Sequence, residues 1–327
     1  MNRRPMPTLH SATTCRLDPG ACEELCRVGV EELEPLRREA LWRRLHTVIV
    51  LVFTLACTLL LLSTMQVPLA IGVGAVGLVA TVAFGAMDGQ AQGRYSAAFN
   101  EWRSRALRTI HPDAHLEPGS YLPHEAFDST GINQEYYNRY SGDTLLRVGT
   151  ITASNLRVTH VYTESGTGKD DRDRTEVDNV FTGVLVQGKV RMPYSGWVVL
   201  LPRSRRIPRE LTSTQVISPE LNRSYSIGAN DPFVAHRILD PSKQSAVWEF
   251  ASSFRQLPRI AYKDDVLTVG LDDMILEMGR RPTLFRPVAV GDLENVIQRC
   301  EEGIGLITDT VNSLAPETLE NETTGRR

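Results

Sequence analysis

Lysine is scarce in this chain. Lys169, Lys189, Lys243 and Lys263 are the only four, and arginine supplies the other basic residues, a bias expected of a GC-rich bacterial genome. An excess of positive charge is lacking too. The formal net charge is -3, which excludes a dedicated nucleic-acid binder, since surfaces that track phosphate are clearly basic. Cysteine is sparse and odd in number: Cys15, Cys22, Cys26, Cys57 and Cys300. This excludes the paired framework of a small secreted domain and suits a reducing cytoplasm. The sharpest absence is local. From Leu45 to Met87 there is no Asp, Glu, Lys or Arg, while both flanks are ordinarily charged.

A helix rises about 1.5 Å per residue, so about 20 residues cross ~30 Å of hydrocarbon. The uncharged block holds two such spans, about 47–66 and 68–87, meeting at Gln66-Val67-Pro68. Proline is tolerated in a first helical turn, so Pro68 reads as the start of the second span and the connection as a tight hairpin. A secretory signal peptide would start earlier and be shorter. A buried soluble hairpin is excluded by the length of the uncharged run. Arg37, Arg38, Arg43 and Arg44 precede the first span, and Arg94, Arg103, Arg105 and Arg108 follow the second. Positive flanks stay inside, which predicts a multi-pass protein of the cell membrane with two spans and both termini in the cytoplasm.

Gly72-Val73-Gly74-Ala75-Val76-Gly77 has the spacing of a dinucleotide-binding fingerprint. That motif needs a short strand before it and a second strand ending in an acid after its helix; neither is present. Ala70, Gly74, Gly77, Thr81 and Gly85 instead form a stripe of small residues at spacings of three and four. Such a stripe lets helix backbones approach in lipid, its partner being the first span or another copy of the chain.

Pro5, Pro7 and Pro19 without periodicity predict a disordered tail over 1–20. Residues 21–111 read as a helical membrane anchor. Within it Leu25, Val28, Val30, Leu33 and Leu36 form an amphipathic pattern before the first span. Tyr95, Phe99 and Trp102 share a face of a helix leaving the second span, either as interfacial anchors or as contacts with the first helix; Pro112 ends that helix. Residues 112–315 read as a mixed α+β cytoplasmic domain, and 316–327 as a second disordered tail. Strands are expected at Leu145–Thr152, Leu156–Thr163, Val177–Val190, Trp197–Leu201 and Arg223–Ile227. A charged loop, Glu164–Asp178, joins two of them. Asp231-Pro232 and Asp240-Pro241 each open a helix in N-cap and N1 style. A hairpin over Arg259–Tyr262 and Val266–Leu271 turns at Lys263-Asp264-Asp265. The last helix runs from about Asp292 to Leu314, with Leu293, Val296, Ile297, Cys300, Ile304, Ile307 and Val311 on one face.

An ordered set of short motifs follows: Tyr140-Ser141-Gly142-Asp143 with Gly149, Phe181-x-Gly183, Tyr225-Ser226-Ile227 leading to Asn230-Asp231-Pro232, and Ala235-His236-Arg237-Ile238-Leu239-Asp240-Pro241. With two spans, an α+β region and a terminal helix, residues 30–315 resemble a bacterial membrane family, the domain of unknown function 3137. The chain departs from the family pattern at Asp240, where Thr is usual, and at Leu221-Asn222-Arg223. The resemblance implies the architecture and no activity.

Chemistry-bearing clusters are few. His111 and His115 stand four apart, with Glu117, His124 and Glu125 nearby, but Pro112 lies between them and no H-E-x-x-H pattern exists, so a polar connector is expected. His10, Cys15, Cys22 and Cys26 lack the second tight pair of a structural zinc site. Gly166-Thr167-Gly168-Lys169 is followed by Asp170 rather than Ser or Thr, unlike a phosphate loop. Arg203, Arg205, Arg206 and Arg209 form a basic cluster that could meet anionic lipid. No catalytic, cofactor-binding or metal residue is therefore assigned, and no cofactor. The expected function is a cytoplasm-facing interaction or scaffold module of a bacterial inner membrane. Its partners would be the bilayer, and a protein or a second copy held through the membrane helices; nucleic acid is not among them. Two alternatives stand beside it. One is a membrane-anchored enzyme using Asp143, His160, Asp231 and His236, and the other is an oligomeric transport or channel component.

Overall fold

The computed structural model describes residues 19–64, 67–164, 174–191 and 195–315. His10, Cys15, Gln66, the Gly166–Lys169 motif and the second tail lie outside them. The fold is α+β: two long apolar helices near the N-terminus, followed by a helix-and-sheet region. The chain divides at Ile110/His111 into a helical unit, which also takes Met278–Cys300, and a sheet unit of His111–Glu277 with the residues from Glu301 onward.

In the helical unit α1 (Pro19–Ser63) and α2 (Val67–Ile110) are each continuous. The separate entry helix, span and exit helix expected from the sequence are single rods, and α1 already begins within the expected tail. Each rod has about 45 residues and so a length of about 68 Å, more than twice the hydrocarbon thickness. Pro68 sits in the first turn of α2, where a missing N–H is harmless.

Outside the uncharged block the two helices pack through complementary sizes. Cys26, Gly29, Leu33, Arg37 and Ala40 are buried on α1, a seam of threes and fours. On α2 the matching seam is Ala91, Tyr95, Phe99, Trp102 and Ala106. A Cβ on Gly29 would collide with Trp102 Nε1 and lie 2.8 Å from both Trp102 Cε2 and Leu293 Cδ1, so glycine makes room for the indole. The three aromatic residues are therefore core, not interfacial anchors. Salt bridges Arg94–Glu39 and Arg105–Glu32, both 2.7 Å, cross between the helices.

The sheet unit is built from β1 (Ala114–Pro118), α3 (His124–Asp128), β2 (Arg139–Val148), β3 (Ile151–Glu164), β4 (Arg174–Lys189), β5 (Trp197–Pro202), β6 (Thr212–Thr214), α4 (Pro219–Ser224), β7 (Tyr225–Ala229), α5 (Pro232–Ile238), α6 (Pro241–Ser252), β8 (Arg259–Lys263), β9 (Val266–Asp272) and the end of α7 (Val290–Leu314). Among the described residues, nine strands form one sheet in the order β1-β2-β3-β4-β9-β8-β5-β7-β6, with every neighbour antiparallel.

Three expected boundaries move. The turn between β2 and β3 falls at Gly149-Thr150, inside the strand expected over 145–152, because Gly149 takes φ +55, a region glycine enters without a Cβ penalty. Pairing of β3 with β4 extends to Glu164 and Arg174, so both ends of the expected loop are strand. Arg223 belongs to α4, since Ser218 accepts from Leu221 N and Pro219 follows it, an N-cap with proline at N1. Asp231 and Asp240 cap α5 and α6 as their sequence pattern implies.

Phe127, Ile132, Leu145, Leu156, Val158, Phe181, Leu185, Val199 and Leu201 form the core on one face of the sheet. Alternate positions Val184, Val186, Val198 and Leu200 are buried as well. Burial on both faces explains why β5 reads as an unbroken Val-Val-Leu-Leu run rather than an alternation.

Candidate functional site

The uncharged halves of α1 and α2 are long and apolar enough to cross a membrane. Their outward side chains are bare: Leu51, Val52, Phe53, Leu55, Leu59 and Leu60 on α1, and Leu69, Ile71, Val76, Leu78, Val79 and Val82 on α2 are all exposed. Exposing so many contiguous large apolar residues to water would be strongly unfavourable, at about 25 cal/mol per Å², and patches of this size mark an apolar partner.

The glycine stripe is used unevenly. Ala70 and Gly77 are buried. A Cβ on Gly77 would lie 2.7 Å from Thr54 Cβ, whereas at Gly74 the nearest atom is Thr58 Oγ1 at 3.7 Å. Thr81 donates to Gly77 O at 2.8 Å, keeping its hydroxyl satisfied within the helix. Gly85 has no atom within 4 Å of a Cβ position. Beside this crossing lies an open groove of about 880 Å³, lined by Phe53, Thr54, Cys57, Pro68, Val73 and Gly77 among others. The Gly72–Gly77 run lies wholly inside α2.

The arginines after β5 differ in their partners. Arg203 donates to Asn222 O at 2.6 and 3.1 Å. Arg205 pairs with Glu135 at 2.6 Å and reaches Val180 O at 3.3 Å. Arg206 and Arg209 are exposed. Arg205 and Arg206 line a cavity of about 220 Å³ with Gln134, Glu135 and Ser204.

Next to Arg205 lies Arg259, on β8, which the sequence reading did not single out. It is fully buried. Its Nε and Nη2 donate to the two Asp272 oxygens at 2.8 Å each, and Nη2 also donates to Val180 O at 2.8 Å. The Phe181 ring lies 5.0 Å from its guanidinium. Burial pulls its pKa below the ordinary value, and Asp272 opposes that shift. Arginine keeps its proton in proteins, so this is a charge-paired brace and not a proton-transfer pair. Nothing local marked Arg259 as one half of a buried ion pair; Asp272 lies on the next strand, opposite Gly183 and beside the 259–270 pair.

The four residues named for an enzyme are spread over separate tasks. Asp143 accepts from Asn155 at 3.0 Å. His160 meets the Tyr136 ring edge-on at 5.0 Å and the tilted Tyr162 ring at 5.2 Å. Asp231 caps α5, and His236 lies in the last turn of that helix. His111 follows α2 and His115 lies on β1, paired with Arg147, so the two do not share a helix face. Cys22 and Cys26 are on α1, with Cys26 buried. Among the described residues, no three His, Cys, Asp or Glu side chains gather where one metal ion could be held.

No protein-family model and no curated protein matches the chain. Among solved structures, the chain is similar to a crystal structure of the mycobacterial trehalose monomycolate transport factor A, TtfA. Identity is 12%, coverage is 48% of this chain and 75% of that one, and the TM-score is 0.23.

Proposed function

We propose that this chain is a membrane-anchored interaction module. In this reading α1 and α2 span a bacterial inner membrane, both termini are cytoplasmic, and the sheet unit meets a protein partner at the cytoplasmic face. The observation that carries it is the bare apolar surface on the uncharged halves of both helices. Arg43, Arg44 and Arg94 flanking that surface support the orientation. The resemblance to the domain of unknown function 3137 belongs to the same proposal.

Self-association through the membrane helices is a second reading, favoured by the groove beside Gly77. Small residues flanking a groove let another helix approach closely. Affinity capture of the full chain from gently solubilised membranes tests both. Enrichment of a distinct protein supports the module, enrichment of a second tagged copy alone supports self-association, and recovery of neither removes the basis of both readings.

A further inference from the structure

Residues 278–289 of the helical unit trace a path along α1 and α2 that their contacts define step by step. Met278 O and Gly279 O accept from Arg103 at 3.2 Å each. Arg281 donates to Gln92 O at 3.4 Å and lies 5.0 Å over the Tyr95 ring. Tyr95 donates to Pro282 O at 3.2 Å, and Arg37 donates to Leu284 O. The Arg44 guanidinium then lies 5.4 Å over the Phe285 ring. The return is marked by Val288 N, which donates to Glu34 at 3.1 Å.

The order of these contacts gives a direction. On α2 they run from 103 back to 92, toward the uncharged block that ends at Met87. On α1 they advance from 37 to 44, next to Leu45 where the block starts, and then fall back to 34. At about 1.5 Å per residue the segment climbs roughly 16 Å along α2 and turns over at Phe285. Leu284 is buried at this turn, but Phe285 is 68% exposed. Trp42, one turn of α1 away from Leu45, is also exposed, at 62%. Arg44 lies over the turn, with Arg43 before it in the chain, and Arg280, Arg281 and Arg286 adjoin the turn in sequence; Arg286 also pairs with Asp292. Aromatic rings combined with arginine at the edge of an uncharged helical stretch are what a headgroup layer accommodates, the ring at the acyl boundary and the guanidinium at phosphate level.

From this placement we infer that the Leu284–Arg286 turn is a lipid-interface anchor: Phe285, with Trp42, enters the headgroup–acyl boundary, and the arginines around it contact anionic headgroups. The inference rests on the membrane-anchored reading above. It replaces Tyr95, Phe99 and Trp102, which are core, with two residues that are bare.

Tryptophan quenching by lipids brominated near the carboxyl end of the acyl chains tests it, using the full chain in vesicles of phosphatidylcholine and phosphatidylglycerol. In a Trp42→Phe background, Phe285→Trp should add emission that these lipids quench, as for a ring at the interface. Leu60→Trp in the same background reports on the span itself. Quenching at position 60 without quenching at 285 overturns the anchor and leaves the membrane reading intact. Absence of quenching at both overturns both. Vesicles of phosphatidylcholine alone should give weaker quenching at 285; equal quenching overturns the part assigned to anionic headgroups.

Discussion

Arg259 shows how one residue can bind distant strands together. Its guanidinium joins β8 to Asp272 at the end of β9 and to the carbonyl of Val180 on β4. Removing one partner of a buried, hydrogen-bonded pair leaves the other charge without compensation, at a cost of about 3–5 kcal/mol. Asp272→Asn and Arg259→Met should each lower the unfolding free energy by that order, read from denaturant titration of the full chain, and the double variant should lose less than the sum. Equal additive losses would mean that the pair is not coupled. Gly77 offers a second test at this scale. A side chain there meets Thr54, while one at Gly85 meets nothing. Gly77→Leu should cost about 1–3 kcal/mol through overpacking, read as a lower thermal midpoint in detergent, and Gly85→Leu should leave it unchanged. A similar response from both would remove Gly77 from the helix contact.

Among the elements, those with strong local chemistry were legible in the sequence. The two long apolar helices followed from one missing residue class, and α5 and α6 from an aspartate and a proline in the right order. The strand ends were not legible, because Val, Thr and Leu continue through the Gly149 turn and because Arg174–Asp178 looks like loop while pairing as strand. Likewise Leu25 and Val28 suggested the buried face of α1, whereas Cys26, Gly29 and Arg37 form it. Small or charged residues reveal burial only once the aromatic residues opposite them are known. Arg37 is the clearest instance. It was counted as a flanking charge, yet it is buried against Glu34 at 2.7 Å. Hydrogen bonding to Arg37 holds Glu34 down at about 2, below its usual 4.5. A depressed carboxylate contributes stability above its unfolded pKa and loses it as pH falls through the folded value. The contribution, about 3 kcal/mol by linkage, should therefore be complete about one pH unit above the unfolded value and decline toward pH 2. Thermal unfolding of the full chain in detergent between pH 7 and pH 3 should show this loss, and Glu34→Gln should not. An identical pH slope in both chains would contradict it.

Across the whole molecule, the address was easier to read than the occupation. An uncharged run is a property of consecutive residues, whereas a site is assembled from positions far apart, as Arg205, Glu135, Arg259 and Asp272 illustrate. The orientation proposed here predicts that, with the native cysteines replaced by serine, Thr64→Cys reacts with an impermeant thiol reagent only from outside the cell. Tyr136→Cys, at an exposed position of the sheet unit, should react only after the membrane is opened. Labelling of position 64 from the cytoplasmic side alone would invert the topology.

The strand order also sets a timetable for synthesis. β4 ends at Lys189, but its second neighbour, β9, begins at Val266. At a bacterial pace of about 5–20 residues per second, one edge of β4 waits roughly 4–15 s for its partner to leave the ribosome. An open strand edge invites pairing with other chains. By then the apolar helices have long been made, so on the proposed reading each nascent chain already sits apart from its neighbours in the plane of the bilayer. The anchor would thus shelter the sheet during translation as well as place it afterwards.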